Sequence, residues 1–203
     1  MASGADALLF DLGRVVIDID FNLAFAKWAE HARCDPATIA QRFSHDDAYK
    51  RHERGEIDSE QYFTALRSAL GVEISNAQLL DGWNAIFIGE MPGISPLLAR
   101  AAHRFPLYVL SNSNREHERC WSMRFPGVLR YFREIYVSST IGRRKPEAEA
   151  YKYVVKAIGA KAERIAFFDD ILENVDAARA CGLQAFHVKS SAEVADAVAS
   201  LAA

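Results

Sequence analysis

Cysteine is scarce in this 203-residue chain, and the three present, Cys34, Cys120 and Cys181, are odd in number and far apart. That argues against a disulfide framework and a CxxC metal site, and predicts small core residues instead. No apolar run approaches the roughly 18 residues that a membrane span requires. Met1-Ala2-Ser3-Gly4 lacks the charged-then-apolar layout of a signal peptide, so the chain reads as cytoplasmic with no membrane partner. Excess positive charge is also missing. The 24 Lys and Arg face 27 Asp and Glu, so nothing draws the chain to nucleic acid. Internal repeats and low-complexity segments are absent too. What is left is an ordinary globular composition, half apolar and a quarter charged, in a chain long enough for a sizeable core.

What is present centres on Ala7-Leu8-Leu9-Phe10-Asp11-Leu12-Gly13. An apolar run too short for a helix and broken by Asp-Leu-Gly predicts a buried strand of a parallel sheet, with Asp11 at its carboxyl end. Val15 to Asp20 follows as a β-branched tract suited to a short hairpin or flap. From Phe21 to about Gly89 the pattern is helical, with Phe21, Phe25 and Trp28 at three- and four-residue spacing and no convincing strand. Asp35-Pro36 predicts a capped helix start, and Asp58-x-x-Gln61 and Ser75-x-x-Gln78 predict capping boxes. Four or five helices inserted straight after a strand suggest a separate helical subdomain.

Beyond Met91-Pro92-Gly93, strand and helix alternate. Strands are predicted at Leu107–Leu110, Glu134–Val137, Ile165–Phe168 and Ala185–Val188, with helices between them and a last one capped by Ser190. Such alternation predicts a doubly wound, mostly parallel α/β sheet. Three of its strands end in polar residues: Asp11, Ser111-Asn112 and Asp169-Asp170. Parallel strands bring these ends to one edge, where open α/β sheets bind ligands. Two carboxylates about 4 Å apart repel by on the order of 4 kcal/mol at an effective dielectric of 20, so three gathered there require a cation. All-oxygen ligands favour Mg²⁺ over zinc. One acid of the Asp169-Asp170 pair would serve as a helix cap, which leaves the other unexplained. Ser111-Asn112 reads either as a turn and cap or as a phosphate cradle. Lys145, before Pro146 and at or near a helix N-terminus, either joins Arg143 and Arg144 in a solvated charge run or points at an anion in the crevice.

Taken in order, strand-Asp11, strand-Ser111, Lys145-Pro146 and strand-Asp169-Asp170 resemble the four motifs of the haloacid dehalogenase superfamily. The helical insertion is placed like that family's C1 cap. FDLGRVVIDIDFN, HERGEI, LSNSNR, RKPE and FFDD-x-x-x-N look most like the bacterial sugar-phosphate phosphatases that hydrolyse α-D-glucose 1-phosphate. The resemblance implies a Rossmann-like core at residues 1–15 and 91–203 with a helical cap at 16–90. It implies that Asp11 is the nucleophile forming an aspartyl-phosphate, and that Ser111 and the Asn112 backbone hold the phosphoryl group while Lys145 neutralises it. Asp11, the Gly13 carbonyl, Asp169 and Asp170 would then bind Mg²⁺, and the partner would be a small phosphate ester. Gly13 is a departure, because most of these phosphatases carry there the aspartate that serves as general acid and base. The glucose 1-phosphate subgroup shares the glycine; Asp18, Asp20 or a metal-bound water are the substitutes to consider. Two rivals follow: a 2-haloacid dehalogenase, against which the acidic pair weighs because those enzymes need no metal, and a non-catalytic binding protein, which Gly13 favours. For substrate choice, His52, Glu53, Arg54, Trp83 and Asn84 either face the crevice or form cap core and a solvated helix end. Oligomeric state is not set by the sequence.

Overall fold

A computed structural model describes residues 4–201. Met1 to Ser3, on which the absence of a leader was argued, lie outside the described residues. In chain order the elements are β1 (Ala7–Phe10), β2 (Ile17–Ile19), α1 (Phe21–Ala32), α2 (Pro36–Arg42), α3 (Asp47–Glu53), α4 (Ser59–Leu70), α5 (Asn76–Asn84) and β3 (Phe87–Glu90). They continue with α6 (Ile94–Ala102), β4 (Leu107–Ser111), α7 (Arg115–Arg124), α8 (Pro126–Leu129), β5 (Glu134–Val137), α9 (Ser138–Ile141) and α10 (Ala148–Ile158). The last are β6 (Ile165–Asp169), α11 (Leu172–Ala180), β7 (Gln184–His187) and α12 (Ser191–Ser200).

Five strands form a parallel sheet in the order β5-β4-β1-β6-β7. The chain winds outward from β1 to β4 and β5, then returns to lay β6 and β7 on the other side, so the winding reverses at β1. The uninterrupted apolar run of β1 has its reason here. Leu8 and Phe10 sit in one hydrophobic layer with Leu97, Leu98 and Val194, whereas Ala7 and Leu9 face the other with Tyr151, Val154 and Val175. A strand covered on both faces has no position for a polar side chain until it leaves the sheet.

Between β2 and β3 run five helices, each with a side-chain N-cap: Asp20, Asp35, Asp46, Asp58 and Ser75, the last two in capping boxes as predicted. Their common interior is aromatic. Trp28 and Trp83 stack at 6.1 Å, and the Trp28 Nε1–H donates to the Leu79 carbonyl at 2.9 Å.

Two expectations require correction. The span to Gly89 does contain a strand: β3 pairs antiparallel with β2, Ile17 opposite Glu90 and Ile19 opposite Phe87. The Val15–Asp20 tract therefore finds a partner far along the chain instead of folding back on itself. Of the cysteines, Cys34 is not a core residue, being exposed just past the end of α1, whereas Cys120 and Cys181 are half-buried and pack against the two hydrophobic layers. Among the described residues no helix is long and apolar enough to cross a membrane.

Candidate active site

The carboxyl ends of β1, β4 and β6 border one cavity of about 270 Å³, which Asp11, Gly13, Ser111, Asn112, Lys145 and Asp170 all line. Asp11 follows the last residue of β1, and its N–H donates to the Phe168 carbonyl of β6 at 2.8 Å, so the sheet itself fixes where the carboxylate stands. Lys145 is 1% exposed. Its ammonium donates to Asp11 Oδ1 at 2.7 Å and to Asp169 Oδ2 at 2.6 Å. A buried lysine held by two carboxylates is no part of a solvated charge run. It does stand near a helix N-terminus, two residues before the Glu147 cap of α10, but Pro146 is not in the first helical turn: Lys145-Pro146, joined by a cis peptide bond, lies in the turn before the helix. Asn112 holds that turn in place, its side-chain amide donating to the Lys145 carbonyl and accepting the Lys145 N–H, both at 2.8 Å. The helix cap in the SNSN tract is Asn114.

Asp169 is fully buried and committed. It accepts from Lys145, from the Ile171 N–H at 2.8 Å and from both contacts of the Asn174 amide at 3.0 and 3.1 Å. Neither Asp169 nor Asp170 caps α11, whose N-cap position is Ile171 with no side-chain bond. Asp11, Asp169 and Asp170 each present an oxygen within 4.8 Å of the others, a set with no sulfur or nitrogen donor that suits a hard divalent cation. Burial raises the Asp11 carboxyl to about 7, with Asp169 and Asp170 adding to the shift and Lys145 opposing it. Burial and the Asp169 charge also raise Asp170. For Lys145 burial alone would lower the value, but the two carboxylates outweigh it and the ammonium is held above its ordinary range. Three acids meet one lysine here, with Arg14 acting on Asp170 as well, and a cation among the carboxylates would relieve the repulsion between them.

Other lining residues come from the helical span and its entry strand: Ile17, Ile19, Phe21, His45, Tyr49 and Glu53. Neither Asp18 nor Asp20 lines the cavity, and Asp20 is occupied in capping α1. His52 is buried against Tyr62, stacked at 4.5 Å, and Trp83 belongs to the aromatic interior; of the HER tract, Glu53 is the residue in the cavity wall. Sequence reasoning passed over Arg144, His45, Tyr49 and Asn174 as site residues. Two of them left a signal, Arg144 in the RKPE tract and charge run beside Lys145 and Asn174 in its spacing from Asp170. His117 is also in the lining, but Trp83 O and the Asn114 amide occupy its two nitrogens at 2.8 and 3.3 Å. Burial pushes its pKa down to about 3, so it stays neutral.

Fold and crevice together define an α/β enzyme that handles a small ligand at the switch point of its sheet. Residues 5–182 match the model of the haloacid dehalogenase-like hydrolases, and the chain belongs to that family. It is similar over most of its length to a D-ribitol-5-phosphate phosphatase of Bacteroides thetaiotaomicron, 20% identical over 92% of this chain and 93% of that protein. The sesquiterpene phosphatase astK of Aspergillus oryzae is 27% identical over 94% and 93% of the two chains. Among solved structures, a HAD family enzyme of B. thetaiotaomicron in complex with magnesium and inorganic phosphate superposes with a TM-score of 0.80 at 26% identity, covering 92% of this chain and 96% of that one.

Proposed function

We propose that the chain is a Mg²⁺-dependent phosphomonoesterase acting on a small sugar phosphate, with α-D-glucose 1-phosphate the first substrate to try. The observation that carries this reading is the convergence of Asp11, Lys145 and Asp170 on one cavity at the sheet's carboxyl edge. Asp11 attacks phosphorus, the ester P–O bond breaks, the departing oxygen takes a proton from water to leave as the alcohol, and an aspartyl-phosphate forms; a second water then attacks phosphorus, the P–O bond to Asp11 breaks, and phosphate leaves while the proton that water sheds passes to solvent. Lys145 favours the ionised form of Asp11 against its burial, holds it in place and offers positive charge to the phosphoryl oxygens. Ser111 and the Asn112 backbone hold the transferring group, and the Asn112 side chain fixes the turn that carries Lys145. Asp11, Asp170 and the Gly13 carbonyl would hold Mg²⁺, helped by the buried charge of Asp169 beside them, and the ion would supply charge stabilisation to the phosphoryl oxygens.

Residues 1–15 and 91–203 serve as the catalytic core in this reading, and 16–90 as the cap that selects the leaving group. The 2-haloacid dehalogenases need no metal, so the acidic pair Asp169-Asp170 beside the nucleophile weighs against that reaction and favours a phosphate ester. A 270 Å³ cavity suits a small substrate. Support for a sugar comes from the sequence motifs and from the polyol phosphate named for one relative.

The test is phosphate release from a panel of sugar phosphates, with and without Mg²⁺, by the wild type and by Asp11→Asn. Metal-dependent release that disappears in the variant is the expected result. Absence of release from every ester, with Mg²⁺ still bound, would overturn the reading in favour of a binding protein.

A further inference from the structure

The cavity wall holds a second charged pair that the mechanism above leaves unused. Glu53 ends α3, and Arg144 lies in the turn just before Lys145; both line the cavity. Arg144 Nε donates to Glu53 Oε2 at 2.8 Å, and the two side chains are 15% and 6% exposed. No other acceptor among the described residues meets the guanidinium, so its terminal nitrogens keep their N–H donors unspent. Aromatic side chains flank the pair. Phe21 and Tyr49 line the same cavity, and His45 packs on Tyr49 with ring centres 4.5 Å apart.

A largely buried ion pair stabilises a fold no better than well-packed apolar residues of the same size, so stability gives no reason for this one to stand in a cavity wall. Its chemistry gives a reason. Arg144 offers donors, Glu53 offers acceptor lone pairs, and the pair as a whole is neutral. A second phosphate or a carboxylate on the substrate would approach Arg144 only by approaching Glu53 as well. A purely hydrocarbon leaving group would strip water from both charges and return no hydrogen bond. Adjacent hydroxyls satisfy both members at once, and ring faces cover the C–H surface between them.

We propose that Glu53 and Arg144 are the specificity-determining pair of this site and read adjacent hydroxyls on the leaving group of a phosphate ester. The proposal rests on the phosphatase reading and deepens it. One member comes from the helical span and the other from the turn carrying Lys145, so recognition of the alcohol is joined to the placement of the ammonium group.

Two measurements test it. The first compares kcat/KM for a panel of sugar and polyol phosphates with that for p-nitrophenyl phosphate, in the wild type, Glu53→Gln and Arg144→Met. The wild type is expected to prefer at least one hydroxyl-bearing ester, and each variant to reduce that preference tenfold or more, chiefly through KM. Arg144→Lys keeps the charge but not the fork; it is expected to lose the preference too, and it covers the case in which Arg144→Met fails to fold. The second uses calorimetry in an Asp11→Asn background with Mg²⁺ present. There Arg144→Met should weaken binding of the preferred ester at least tenfold more than binding of inorganic phosphate. Equal losses on both esters and on both ligands would overturn the proposal, leaving the pair as a brace for the Lys145 turn. A wild-type preference for bisphosphates or alkyl phosphates would overturn it as well. Selective weakening in calorimetry without hydrolysis of any ester would instead sink the phosphatase reading and leave the hydroxyl-reading pair standing.

Discussion

Lys145 shows how much of the site depends on single side chains. With its ammonium shared between Asp11 and Asp169 and almost no exposure, its removal leaves two buried carboxylates facing each other. Breaking such a pair on one side costs about 3–5 kcal/mol. Lys145→Met is therefore expected to lower the urea midpoint sharply in metal-free protein, and Mg²⁺ should restore part of the loss by supplying the missing charge. His117 makes a different prediction. It is neutral in the fold because burial holds its pKa near 3, whereas the unfolded imidazole titrates near 6.5. As pH falls below 6.5 the unfolded chain takes up a proton that the folded chain refuses, so stability is full above that value and drains away below it. The slope approaches ~1.4 kcal/mol per pH unit. Between pH 7 and 5.5 the wild type should lose roughly 1 kcal/mol more than His117→Gln, read from paired urea titrations. At this scale the sequence was legible wherever a residue's place followed from its own strand. Asp11, Ser111 and Asp170 end strands, and their position was read without a partner. Glu53 and Arg144 stand 91 positions apart, and no local pattern announces a pairing across that distance.

Close approaches between elements leave little tolerance. In α5, Gly82 lies against the Trp28 indole of α1, where an added Cβ would come within 2.2 Å of Nε1. Alanine is worth up to about 1 kcal/mol more than glycine in a helix interior, but overpacking a buried contact typically costs about 1–3 kcal/mol. Gly82→Ala is thus expected to destabilise despite its better propensity, by about 2–4 °C in Tm for each kcal/mol of net loss. Gly55 is more constrained still. Its φ is +68°, and a Cβ would meet the Ser139 carbonyl of α9 at 2.3 Å. The end of α3 is seated there, with Arg54 donating to Glu147 at 3.1 Å beside the Glu53–Arg144 pair. Helices and caps in this region were readable because capping chemistry is local: Asp58 with Gln61 and Ser75 with Gln78 each close within one turn. The short strand Phe87–Glu90 was not, because four residues containing a glycine carry no period of their own and pair only with a tract some seventy positions earlier.

For the molecule as a whole, the reversal of winding at β1 puts the ends of three strands around one point, and the alternation of strand and helix after Gly93 was enough to foresee that sheet. Strand order was not legible beyond this, because nothing local tells which side of β1 each later strand takes. If the acidic cluster binds Mg²⁺, folding and binding are linked: at a hundred times Kd the ion adds about 2.7 kcal/mol of stability. Thermal melts with increasing Mg²⁺ should rise for the wild type, return to baseline with chelator, and stay flat for Asp170→Asn. The pairing of β2 with β3 has a wider consequence. The chain leaves the sheet through Ile17–Ile19 and returns through Phe87–Glu90, and these two segments are hydrogen-bonded neighbours. Exit and re-entry thus share one doorway. A change of length inside the intervening segment is expected to leave the five-stranded sheet and the carboxylates at its edge in place as long as the contacts of Glu53, Arg54, Gly55 and Trp83 with the rest of the chain are kept.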